Sequence, residues 1–211
     1  MARTFKYILM LSWIFNLLGC KGQTTNNRMP TDEEIKQSVQ SFLNRPIYKK
    51  LTKEIIDTLA DQDLNQTIFD TISVNMEGDK RNESDIVKGL SKGQQAIYSI
   101  WMVESEVNNG GFNQLYFNGY EEIAKIAESG FLTIGAHGFA DLVKRANLLY
   151  KEIKPDLEKY DDGTIEGFSK SYENNPLEKF DSEFFKLYEK EKLTELIIGY
   201  IRRNTHEFIE K

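Results

Sequence analysis

An all-α fold, a single compact domain of about eight helices, is what this 211-residue chain predicts. Apolar residues recur at three- and four-residue spacing in eight separate segments. No segment alternates apolar and polar residues like a half-buried strand, and no hairpin turn joins two β-branched runs. Capping residues, glycines and prolines stand where several of these segments begin or end.

The first helix follows Pro30. Thr31 and Glu34 form a capping box in which each side chain satisfies the other's free backbone amide, and Ile35, Val39, Phe42 and Leu43 follow at helical spacing. Pro46 suits the first turn of a second helix that places Ile47, Leu51, Ile55, Ile56 and Leu59 on one face. A third is expected over 64–74, and the charged stretch 77–84 reads as a loop. Ser91 caps a fourth helix over 94–108, which Gly110-Gly111 stops. Two more, over 121–134 and 139–153, flank Gly135-Ala136-His137-Gly138, and Pro155 ends the second of them. The Asp-, Gly- and Asn-rich stretch 161–176 reads as a loop, after which helices over 183–190 and 193–209 close the chain.

Residues 1–19 read differently. Arg3 and Lys6 make a positive start, and Tyr7 to Leu18 make a 12-residue apolar run. A membrane-spanning helix needs roughly 20 apolar residues, so this run is a secretory signal rather than a span. It ends in Leu17-Leu18-Gly19-Cys20, which resembles the lipobox of a bacterial lipoprotein. That resemblance implies cleavage before Cys20, acylation of its thiol, and residues 20–30 as a flexible tether to a helical domain over 31–211. The competing reading is an ordinary signal peptide with an incidental or core cysteine. Lys21 after the cysteine, where Asp would favour retention, points to the outer membrane of the cell envelope.

Charge and composition exclude several classes. The chain carries 27 Lys and Arg against 33 Asp and Glu, a net charge of −6, so the basic footprint of direct nucleic-acid binding is absent. With one cysteine, no intramolecular disulfide can form, and packing alone must hold the fold. His137 and His206 belong to no metal-ligand spacing, and no nucleophile elbow, phosphate-binding loop or dinucleotide fingerprint occurs. No catalytic residue, metal or cofactor is expected.

One segment asks for explanation, residues 101–118. Ile97, Ile100, Trp101, Glu104, Val107 and Asn108 share a helix face, and its apolar members bring Glu104 and Asn108 near the core. A buried carboxylate is costly unless hydrogen-bonded or neutralised. The nearby donors are Asn109, Gln114, Asn118 and the backbone amides of Gly110 and Gly111. Either these groups tie the helix end to the next segment, or the glycine turn exposes them to a ligand or partner. Phe112, Leu115, Tyr116 and Phe117 are expected beneath the turn, with Tyr116 or Tyr120 at its rim.

Glu-Val-Asn-Asn-Gly-Gly-Phe-Asn-Gln-Leu-Tyr-Phe-Asn over 106–118 also resembles the hallmark of a small all-helical bacterial family named for a DNA-mimic protein. Gly138-Phe-Ala-Asp-Leu-Val and the closing segments from Leu177 and Leu193 resemble it too, so the resemblance covers about 85–211, with residues 31–76 as a variable extension. It implies a helical fold and, for the family's namesake, carboxylates spaced like DNA phosphates. Three functions stand as expectations. The leading one is a lipid-anchored, non-enzymatic protein-binding module that uses Glu104, Asn108, Asn109, Gly110, Gly111, Phe112, Gln114 and Asn118. The others are a small-ligand or hydrolytic pocket around Glu104 and Asn108, and an acidic mimic that occupies a basic partner.

Overall fold

The computed structural model describes residues 30–76 and 82–209. The signal and lipidation readings of residues 1–20, the tether up to residue 29, and residues 77–81 of the expected loop lie outside the described residues. Among the described residues the secondary structure is all helical, as expected, with ten α-helices rather than about eight and two short 3-10 turns.

The chain divides after Pro46. Before it stands α1, Asp32–Leu43, opened by the expected capping box: the Glu34 amide donates to the Thr31 hydroxyl and the Thr31 amide to the Glu34 carboxylate. After it come α2 (Lys53–Thr58), α3 (Asp61–Asn75), α4 (Glu83–Lys88), α5 (Lys92–Phe117), α6 (Glu121–Ile134), α7 (His137–Leu157), α8 (Ile165–Lys170), α9 (Glu178–Glu191) and α10 (Leu193–Arg203).

Four expectations need correction. The second helix begins at Lys53, not near Pro46, because the Thr52 hydroxyl takes the Ile55 amide and so marks the start; Leu51 is buried from irregular chain before it. Helix α7 runs past Pro155 to Leu157. So near the C-terminus proline forfeits one ladder bond, and its fixed φ already suits a helix. The stretch 161–176 contains α8, whose N-cap Thr164 accepts from the Gly167 amide. The last helix stops at Arg203 and gives way to a 3-10 turn at Thr205–Glu207.

Helix α5 is the hub, packing against α3, α6 and α9. It is buried on nearly every side: Ile97, Ile100, Val103 and Val107 on one flank, Ala96, Ser99, Ser105 and Glu106 on others. A helix enclosed all round must accept small and polar residues where neighbours approach closely. Gly130 of α6 supplies one such approach, since a Cβ there would stand 2.9 Å from the Ala96 Cα. Gly135, at φ 88°, ends α6 in the left-handed conformation that lets the chain reverse into α7.

An aromatic column joins α5, α6, α7 and α9. Phe112 meets Phe184 edge-on at 5.9 Å, Phe184 meets Phe139 at 5.2 Å, and Phe139 stacks on Phe131 at 5.3 Å. Such pairs add about 0.5–1.5 kcal/mol each beyond their burial. Two polar clamps complete the frame. Arg202 of α10 donates to the carbonyls of Ile56 and Leu59 and to Asp61, tying the α2–α3 junction. Glu207 accepts from the Gly93 amide at the start of α5 while the Ser91 hydroxyl donates to the Glu207 carbonyl. A carboxylate there complements the helix dipole.

Candidate functional site

The expected stop at Gly110-Gly111 is a break in mid-course. Helical geometry lapses at Gly110 and Gly111 and resumes at Phe112. Gly111 sits at φ 71°, ψ −175°, a region essentially confined to glycine. Asp181 of α9 lies directly over it, where any Cβ would collide with the carboxylate.

Breaking a helix orphans backbone groups on both sides, and here each named group finds a side chain. The Phe112 amide donates to Asp181 Oδ1 at 2.8 Å, so Asp181 caps the second half of α5 from 69 residues away. The Tyr172 hydroxyl donates to the Gly110 carbonyl at 2.9 Å. Burial pushes the Asp181 carboxyl above its usual range, and the Phe112 amide pulls it partly back.

The segment's two carboxylates part company. Glu104 accepts from the Tyr188 hydroxyl of α9 at 2.5 Å. Part of the side chain reaches the surface, yet dense packing desolvates the carboxyl and pushes its pKa up to about 7, against the hydrogen bond that lowers it. The donors expected for Glu104 go elsewhere. Gln114 and Asn118 both donate to Glu106 Oε2, at 2.9 and 2.8 Å, so the buried carboxylate of the segment is Glu106, 1 % exposed. This network spans the break, joining the first half of α5 to the residues that end the second.

Of the expected site residues, Gly110, Gly111, Phe112, Gln114 and Asn118 therefore assemble at the break. Glu104 stands apart with Tyr188. Asn108 and Asn109 are partly exposed, and neither side chain has a hydrogen-bond partner among the described residues. Phe112, Leu115 and Tyr116 are buried beneath the turn, Phe117 less so; Tyr120, not Tyr116, is the partly exposed tyrosine.

Sequence reasoning missed Glu106, Asp181, Tyr172 and Tyr188. Glu106 had one legible sign: Ser99, Ser105 and Gly93 mark the second side of α5 as crowded, so both its flanks face protein. The other three come from α9 and the chain before it, with no local signature of their task. Asn113 donates to the Ser171 hydroxyl at 2.7 Å, adding a further buried link to the same stretch. Among the described residues, no group of three His, Cys, Asp or Glu side chains is placed to hold a metal ion.

An all-helical domain whose central helix is broken at a Gly-Gly pair, bridged by Gln114 and Asn118 meeting on the buried Glu106 and capped from a distant helix, is the class these features define. Residues 88–204 match the family model described as DMP19-like protein, more than half the chain, and the chain belongs to that family. The match takes in α5 to α10 and leaves α1, α2 and α3 outside it. No curated protein matches the sequence.

Proposed function

We propose that this protein is a non-enzymatic protein-binding module, held at the bacterial cell envelope by acyl chains on Cys20. One observation carries the binding reading. Glu106, Gln114 and the Phe112 amide of the hallmark segment are engaged inside the fold and Asn118, though exposed, is bonded to Glu106, whereas Asn108 and Asn109 reach the surface with no hydrogen-bond partner among the described residues. Beside them stands Tyr172, 39 % exposed and fixed by its bond to Gly110; Phe185, 48 % exposed, lies one turn beyond Asp181. Exposed aromatics on a rigid support, next to amides with free hydrogen-bonding capacity, suit a protein interface. A hydrolytic pocket draws less support, since Glu104 and Glu106 serve separate internal partners and Phe112 fills the space under the turn.

The test is in-cell cross-linking of the lipidated protein, with an Asn108→Ala/Asn109→Ala variant in parallel. A discrete envelope protein recovered with wild type and lost with the folded variant is the expected result; recovery of nothing in either sample overturns the reading. The anchor has its own test. Cys20→Ala is expected to release the protein from the membrane fraction, and full retention there would refute lipidation.

Family membership favours a second reading, acidic mimicry of DNA. Duplex DNA presents one negative charge per ~1.7 Å of axis. Many acids here are neutralised by neighbours instead: Glu122 by Lys88 and Lys125, Glu121 by Lys154, Asp141 and Glu183 by Arg145. Mimicry predicts association with a basic partner that weakens steeply with salt, and salt-insensitive binding excludes it.

A further inference from the structure

We infer that the groove between α6 and α7 docks an extended acidic segment of a partner protein, its carboxylates held by Lys144 and Lys151 and an apolar side chain between them seated on Leu148. The groove is open, has a volume of about 380 Å³, and is lined by residues of both helices. Its lining brings four lysines against two glutamates in a chain whose net charge is −6.

Those lysines are not equivalent. Lys154 is held by Glu121 at 2.8 Å and Lys125 by Glu122 at 2.6 Å. Lys144 and Lys151 are exposed and have no ion-pair or hydrogen-bond partner among the described residues. Residues 144, 148 and 151 follow the i, i+4, i+7 rule, so the two ammonium groups flank Leu148 on one face. Leu148 is a large apolar side chain, yet it is 56 % exposed.

Spacing defines the ligand. Seven residues of helix advance about 10.5 Å, and four residues of extended chain, the spacing at which side chains i, i+2 and i+4 share a face, advance about 13 Å. A Glu-x-Leu-x-Glu segment in extended form therefore turns its two carboxylates and the apolar side chain between them to one face, and the long lysine and glutamate side chains take up the small difference in length. The floor beneath is rigid. Asn147 accepts from the Tyr116 hydroxyl at 2.8 Å and donates to the Ala124 carbonyl at 3.3 Å, and Tyr150 stacks on Tyr116 at 4.1 Å. A seat fixed before binding loses little freedom when occupied. Tyr116 belongs to the hallmark segment, so that segment also braces this groove. An anionic bilayer fits less well: it is flat, whereas the groove is recessed between two helices.

The proposal is independent of the Asn108–Asn109 face. Its test uses the full-length protein in a non-ionic detergent and a fluorescent heptapeptide, Ser-Glu-Thr-Leu-Thr-Glu-Ser, with Gln-for-Glu and Lys-for-Glu versions, read by anisotropy at low salt. The Glu peptide is expected to bind at least tenfold tighter than the Gln peptide. Lys144→Glu/Lys151→Glu should lose it and gain the Lys peptide, a reversal that a misfolded protein cannot produce. Asn108→Ala/Asn109→Ala should bind as wild type. Equal binding of the Glu and Gln peptides, retention by the charge-reversed variant, loss in the asparagine variant, or binding to phosphatidylglycerol vesicles without peptide binding would each overturn the proposal.

Discussion

Asp181 and Glu104 show how far single carboxylates shape this molecule. Asp181 supplies the first amide of a resumed helix with its acceptor and stands where only glycine fits below it. Loss of an N-cap costs about 0.5–2 kcal/mol. Asp181→Ala is thus expected to lower stability by about that amount in urea unfolding, while Gly111→Ala, which adds backbone strain and a collision, should cost more. Glu104 carries a pH dependence. Unfolded, it titrates near 4.5; folded, burial lifts it to about 7. Between those values the folded protein holds the extra proton, so this contribution is complete below about pH 4.5 and is lost as pH rises through 7. At about 1.4 kcal/mol per unit the loss is at most on the order of 3 kcal/mol. Comparing urea midpoints at pH 5 and pH 8 should show Glu104→Gln flattening the dependence relative to wild type. A variant with the wild-type slope would remove Glu104 as its source.

Elements here were legible where one face is buried and obscure where all faces are. The amphipathic helices α6, α7 and α10 follow their apolar stripes, and α1 opens at its predicted capping box. Helix α5 does not obey a one-face pattern. Reading a single stripe placed Glu104 inward and overlooked Glu106, because the pattern cannot report that the opposite flank is covered as well. The closeness of α5 and α6 rests on Gly130 against Ala96. Gly130→Val should therefore force the helices apart, a change expected to cost about 1–3 kcal/mol as overpacking does. The measurement is a thermal or urea midpoint, and an unchanged midpoint would show that the crossing has room to spare.

Across the unit after Pro46, the C-terminal end of the chain holds earlier helices in place. The 3-10 turn at Thr205–Glu207 caps the start of α5, and Arg202 ties the α2–α3 junction. Glu207 also accepts from the Tyr200 hydroxyl at 2.7 Å, so its carboxylate links the start of α5 to α10. Removing one partner of a charged hydrogen bond costs about 1–3 kcal/mol. Glu207→Ala is expected to lower global stability within that range and to speed amide exchange in the first turn of α5. Loss of exchange protection confined to residues after Arg203 would show that the clamp is local.

What the sequence determined by itself was the all-helical class, most element positions, the breaking residues Gly110 and Gly111, and the segment around which the family is recognisable. These arise from periodicity, capping and backbone freedom, which act over one or two turns. Tertiary structure alone decided which carboxylate is buried, that Asp181 and Tyr172 complete the broken helix, and that Glu104 turns to Tyr188. It also decided that Lys144 and Lys151 stand over a groove without a partner among the described residues. Each of these depends on groups brought together from distant parts of the chain, and a local pattern holds no record of what will pack against it.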